Sequence, residues 1–183
     1  MKIKNKMESY EKIIKLNLNR FPEEVFRRGE NKKINKFVDE NHVEFYAIRS
    51  KDVIGYKTKI KVPRDLILEE VENHDLFSIS VSSYNYNKSL ILIGDIRIDK
   101  NNGIWLLASK TDYPYKFTNA TPEYNLDTKI FDKELNYVLG FDSIYKYIVE
   151  KNLIDIIVEF AVYNEPVGIL NEPIIIFELR TDY

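Results

Sequence analysis

A chain of 183 residues, 44% hydrophobic and 31% charged, is long enough to bury a substantial core in one domain or two closely associated subdomains. Its net charge of −2 and isoelectric point near 5.8 supply no global basic field for nucleic acid. The absence of cysteine excludes disulfides, thiolate nucleophiles and cysteine-ligated zinc, and no run approaches the roughly 18 apolar residues of a membrane span or forms the apolar centre of a secretory signal, so a cytoplasmic location is expected.

Residues 7–17 place Tyr10, Ile13 and Ile14 on one helical face, with Lys6, Lys12 and Lys15 left to solvent. Pro22 breaks that helix, 23–26 reads as a short extended piece, and Gly29 ends it. Residues 30–41 carry Ile34, Phe37 and Val38 at helical spacing, a second amphipathic helix. The chain then turns rich in strands. Residues 43–49 (VEFYAIR) and 54–62 (IGYKTKIKV) alternate around a polar turn at 50–52, the pattern of a hairpin. A short apolar stretch, 66–71, ends in Glu69, Glu70 and Val71. Strands are predicted over 76–82, 90–98 and 104–109, with turns at 85–88 and 99–103 between them.

Residues 110–125, rich in Thr, Asn, Pro and Tyr without apolar periodicity, read as a long loop of the kind that serves as a lid or binding loop. Helices are predicted over 131–139 and 142–153, the latter with Asp142 as N-cap. Two apolar runs close the chain, 154–162 and 174–179, separated by a segment with Pro166, Gly168, Asn171 and Pro173; they read as a buried antiparallel pair. The order of elements describes an α+β protein, mostly antiparallel sheets with flanking helices.

Each closing strand carries one carboxylate inside its apolar run, Glu159 in IIVEFAV and Glu178 in IIIFELR. Such a group is costly to bury without a cation, a metal or hydrogen bonds. Alternation puts both on one sheet face, with Asp155 at the strand's start and Arg180 two residues beyond Glu178. Hard oxygen donors on neighbouring strands suit Mg²⁺, which binds through one or two carboxylates plus phosphates; an ion-pair network with Arg180 is the competing reading. Arg97, in the middle of the apolar strand GDIRID, requires a carboxylate or phosphate and is expected near the same acids. Lys57, Lys59 and Lys61 alternate along one strand, a solvated or phosphate-facing row. His42 and His74 lack metal-ligand spacing, and no GxxxxGK[ST], GxGxxG or GxSxG motif is present.

Taken together, FPEEVF, VEFYAIRSK, ILEEVENHDLFSISV, ILIGDIRID and the closing IIVEFAV…IIIFELR resemble the ATP-grasp superfamily over roughly residues 21–183. The resemblance implies two small subdomains within a single domain 1–183, 20–70 lid-like and 71–183 core-like. It implies ATP and Mg²⁺ as ligands, with Arg49 or Lys51 at the phosphates, Glu69, Glu70 and Val71 at the adenine, and Glu159 and Glu178 on the metal. Arg97 and Arg180 would then be the catalytic cations. Where that family usually closes on E-x-N, this chain has Glu178-x-Arg180, and only Gly55 lies near the expected phosphate loop. Three functions follow: a nucleotide-binding module, non-catalytic or dependent on a protein partner; an ATP-dependent ligase activating a small-molecule carboxylate; or a structural or interaction protein with no nucleotide site. None involves nucleic acid or a membrane.

Overall fold

The computed structural model describes Ile3 and residues 6–50, 58–100, 103–109 and 140–181. In chain order these form helix α1 (Lys6–Lys15), strand β1 (Glu23–Arg27), helix α2 (Asn31–Asn41), and strands β2 (Phe45–Ser50) and β3 (Thr58–Pro63). A 3-10 turn leads into the short helix α3 (Ile67–Val71), followed by β4 (Leu76–Val81), a 3-10 segment, β5 (Leu90–Ile98) and β6 (Ile104–Ser109). Helix α4 (Phe141–Glu150) and strands β7 (Ile157–Val167) and β8 (Glu172–Arg180) complete the chain. The fold is α+β: two four-stranded sheets, β1-β4-β2-β3 and β6-β5-β7-β8, in which all neighbours pair antiparallel. Among the described residues no helix is long and apolar enough to cross a membrane. The segments expected as a loop (110–125) and a helix (131–139) lie outside the described residues.

The chain divides into two compact units, Phe21–Asn87 and the combination of Met1–Arg20 with Lys88–Tyr183. In Phe21–Asn87, one sheet face presents Phe26, Tyr46, Ile48, Val62, Phe77 and Ile79 to Ile34, Phe37 and Val38 of α2 and to Ile67 and Val71 of α3. Burying a side chain such as Phe26 or Phe77 contributes about 2–3 kcal/mol. The Tyr46 hydroxyl donates to the Val38 carbonyl at 3.0 Å, so its polar tip is satisfied within the core. Ile67 and Val71 are buried while Leu66 and Leu68 are exposed, a spacing of four that selects helix over strand for this stretch. Strand β4 is hydrogen-bonded between β1 and β2, within this same unit.

In the other unit, Leu92, Ile96 and Ile98 of β5, Val158, Phe160 and Val162 of β7, and Ile174, Ile176 and Leu179 of β8 share a core with Ile144, Tyr147 and Ile148 of α4 and with Ile13 and Leu18. Helix α1 lies along β8, where the Leu179 N–H donates to Ser9 Oγ at 2.7 Å. Helix α4 begins from Gly140, whose φ of +95° opens the helix two residues before Asp142. The expected Asp142 cap is therefore replaced: Asp142 sits in the first turn, where its charge favours the positive end of the helix.

Asn19 pins the β7–β8 connection. Its side-chain amide donates to the carbonyls of Val167 (2.9 Å), Glu172 (3.2 Å) and Ile174 (2.9 Å), and its Oδ1 accepts from the Leu170 N–H at 2.9 Å. Its own carbonyl accepts from Ile176 N–H at 2.8 Å. Gly168 makes the close approach possible: with φ +79°, a Cβ there would stand 2.8 Å from the Arg20 carbonyl. Asn19→Ala orphans this set of buried groups, and a loss of about 2–4 kcal/mol is expected in chemical denaturation. A loss below about 1 kcal/mol would show that the connection holds without it.

Candidate functional site

The backbone register of β5, β7 and β8 brings three carboxylates into one line: Asp95 opposes Glu159, and Glu159 opposes Glu178. A bulge produces this line. Phe160 pairs with Ile176 while Glu159 pairs with Glu178, so β8 carries one extra residue, Phe177, at that point. Ile174 and Ile176 belong to the core, and strict alternation from them would turn Glu178 inward. The extra residue resets the phase, sending Leu179 into the core and leaving Glu178 and Arg180 on the same face as Glu159 and Asp95.

The line is held from two sides. Arg180 Nη2 donates to Asp95 Oδ1 at 2.5 Å, reaching past the intervening strand β7, with side-chain exposures of 32% and 11%. Lys6 Nζ on α1 lies 3.5 Å from Glu178 Oε2. Burial works against the charge on Arg180, yet Asp95 and then Glu159 and Glu178 outweigh it and raise its pKa. The Asp95 carboxyl is raised, because burial exceeds what the Arg180 charge and hydrogen bond return. Glu159, between the other two acids, is pushed up to about 7, first by desolvation and then by Glu178 and Asp95, against the smaller pull of Arg180 and Lys6. Three acids thus share two cations, and the central carboxyl is the under-compensated one. Among the described residues no three His, Cys, Asp or Glu side chains are grouped to hold a metal ion.

Of the residues singled out in the sequence, Glu159, Glu178 and Arg180 come together. Arg97 does not join them by an ion pair: its Nε donates to Asp99 Oδ1 at 2.6 Å, an acid that the sequence DIRID places two positions away, just past the end of β5. Asp155 is not at the start of β7 but in the preceding turn with φ +63°. There its N–H donates to the Ile98 carbonyl at 2.8 Å, its Oδ1 accepts from the Lys100 N–H at 3.2 Å, and its Oδ2 pairs with Lys100 Nζ at 3.5 Å.

The remaining residues belong to the Phe21–Asn87 unit. Arg49 Nη1 donates to Ser80 Oγ at 3.0 Å and lies 3.6 Å from Glu23 Oε1. Glu69, Glu70 and Val71, the residues expected at the adenine, lie in helix α3, with Val71 in the core and Glu70 paired with Lys59. Lys61 donates to the Tyr84 hydroxyl at 2.8 Å and stands over the rings of Tyr84 (4.3 Å) and Phe45 (5.3 Å). Lys51 and Lys57 lie outside the described residues. The residue that sequence reading missed is Asp95; the acid–base–acid alternation of DIRID was its signal.

No protein-family model matches the sequence, and no curated protein matches it. Among solved structures the chain is similar to D-alanine–D-alanine ligase from Helicobacter pylori, at 13% identity over 97% of this chain and 50% of that one, with a TM-score of 0.46. It is also similar to D-alanyl-alanine synthetase A from Vibrio cholerae O1 biovar eltor, at 14% identity over 97% of this chain and 54% of that one, with a TM-score of 0.49. A third likeness is to N5-carboxyaminoimidazole synthetase from Staphylococcus aureus, at 13% identity over 98% and 44% of the two chains, again with a TM-score of 0.49. The chain spans about half the length of these structures, and each TM-score lies below 0.5.

A carboxyl raised from 4.5 to about 7 binds its proton more tightly in the native than in the unfolded chain. Its contribution to stability is therefore full below about pH 4.5 and is lost as pH rises toward about 7, by about 3 kcal/mol. Glu159→Gln, a neutral mimic, should match the wild type near pH 4.5 and exceed it by about 1–3 kcal/mol near pH 8, as read by urea denaturation in the presence of EDTA. A variant less stable than the wild type near pH 8 would contradict this charge balance.

Proposed function

We propose that the chain is an ATP-grasp-like nucleotide-binding module, non-catalytic by itself or completed by a protein partner. One observation carries the reading: the line Asp95–Glu159–Glu178 with Arg180 fixed among its members. Buried ion pairs are weak sources of stability even when their charges balance. This row is not balanced, since burial and then Glu178 and Asp95 hold Glu159 far from its ordinary ionisation, against the smaller pull of Arg180 and Lys6. Perturbed titratable groups with specific charge partners cluster at binding and catalytic sites.

The donor set suits one Mg²⁺ arriving with the phosphates of a nucleotide, against Glu159 and Glu178. It does not suit a second ion, because the guanidinium of Arg180 already lies against the row. Bound there, the metal would supply charge neutralisation at the phosphates. The residues of the chain would position the ligand: Arg180 as a fixed cation held by Asp95, Lys6 as an exposed cation at the row's other end, and Arg97 as a phosphate partner released from Asp99. A full ligase would in addition activate a small-molecule carboxylate, and no arrangement among the described residues favours that step over binding alone. The competing reading is a closed ion-pair network, favoured by the 2.5 Å contact between Arg180 and Asp95.

Thermal melts with ATP, with and without Mg²⁺, separate the two. A ligand at a hundred times its dissociation constant stabilises the native state by about 2.7 kcal/mol. A Mg²⁺-dependent rise in Tm with ATP is expected for the wild type and should vanish in Glu178→Gln. No rise at millimolar ATP, with Glu178→Gln itself strongly destabilised, would make the row a structural network.

A further inference from the structure

Three carboxylates lined up across adjacent strands concentrate hard oxygen donors on one sheet face, the ligand type that Mg²⁺ takes through one or two carboxylates. Here the neutralising charge is part of the chain. Arg180 lies two residues beyond Glu178 on β8, opposite Ile157 of β7, and its guanidinium reaches Asp95 on the far side of that strand. Asp95 is 8% exposed, so the pair is shielded from solvent and salt far more than the Lys6–Glu178 contact, where the lysine side chain is 54% exposed. Arg180 also keeps its buried Nε without a hydrogen-bond partner among the described residues. An unsatisfied buried donor is destabilising, and it is tolerated here with the charge in place.

We propose that Arg180, clamped by Asp95, is the resident cation of the row: it stands in place of a divalent ion, so the free protein binds no Mg²⁺ there, and removing the guanidinium converts the row into a divalent-cation site. A guanidinium cannot lose its proton under any ordinary condition, and a divalent ion within a few ångströms of it meets a like charge. Any metal must then come with its own anion. This deepens the nucleotide reading and rests on it only for the identity of that anion.

The test uses metal alone. Wild type, Arg180→Lys and Arg180→Asn are melted in EDTA and in millimolar MgCl2, and Mn²⁺ binding to each is followed by electron paramagnetic resonance. Wild type and Arg180→Lys should show no metal-dependent change in Tm. Arg180→Asn should melt low in EDTA, recover with Mg²⁺, and bind Mn²⁺ at least about tenfold more tightly than the wild type, a difference of about 1.4 kcal/mol. If Arg180→Asn does not fold, the double variant Asp95→Asn/Arg180→Asn, which leaves neither member of the pair orphaned, is held to the same Mn²⁺ criterion. Metal binding by the wild type equal to that of the variant, or no response in either, would overturn the proposal. A positive metal response alongside absent ATP binding would remove only the nucleotide reading.

Discussion

The register of three antiparallel strands is the constraint on which this site depends. Backbone hydrogen bonding between β5, β7 and β8 leaves Asp95, Glu159 and Glu178 no choice but to lie side by side. Cross-strand neighbours on one face stand about 5 Å apart, and like charges at that distance repel. The sheet does not relieve this by moving backbone. It relieves it with Arg180, whose long side chain crosses to Asp95, with Lys6 from α1, and with a shared reluctance of the central carboxyl to ionise. The hydrophobic core on the opposite face, from Leu92 to Leu179, holds the strands in register against that repulsion.

The bulge at Phe177 connects core to charge. Two buried isoleucines, Ile174 and Ile176, and the buried Leu179 cannot all face the same core with a period of two, since two positions separate Ile174 from Ile176 but three separate Ile176 from Leu179. One additional residue between Ile176 and Glu178 reconciles them. A single insertion thus satisfies the core and moves two charges, Glu178 and Arg180, to the site face. Behind it, Asn19 ties the β7–β8 connection through three donated hydrogen bonds and one accepted, so the re-phased strand is anchored at its start as well as along its length.

Much of this was legible in the sequence, and the failures have physical causes. The helix at 31–41 followed directly from Ile34, Phe37 and Val38, and these are its buried residues. The closing strands and their antiparallel pairing followed from two apolar runs around a turn-rich segment. That Glu159 and Glu178 share a face was also readable, though by an assumption of strict alternation that β8 does not obey; bulges depend on the partner strand and leave no local mark. Asp95 was overlooked because its meaning depends on Arg180, 85 residues away, and no local pattern encodes that distance. Arg97 was expected beside Glu159 and Glu178, whereas its ion pair is with Asp99, two positions along the chain just past the end of β5. Gly140 stands at the helix start in place of Asp142, in a left-handed conformation that glycine adopts readily.

The central claim is that burial and the two flanking acids, under-compensated by Arg180 and Lys6, hold the middle carboxyl of the row back from ionising. Carbon-13 NMR of the glutamate and aspartate carboxyl groups, titrated in metal-free buffer, reads this directly. The account predicts that Glu159 titrates near 7. A Glu159 signal that titrates near the ordinary 4.5 would mean that neither burial nor the flanking acids act on it and that the row is scaffold rather than site.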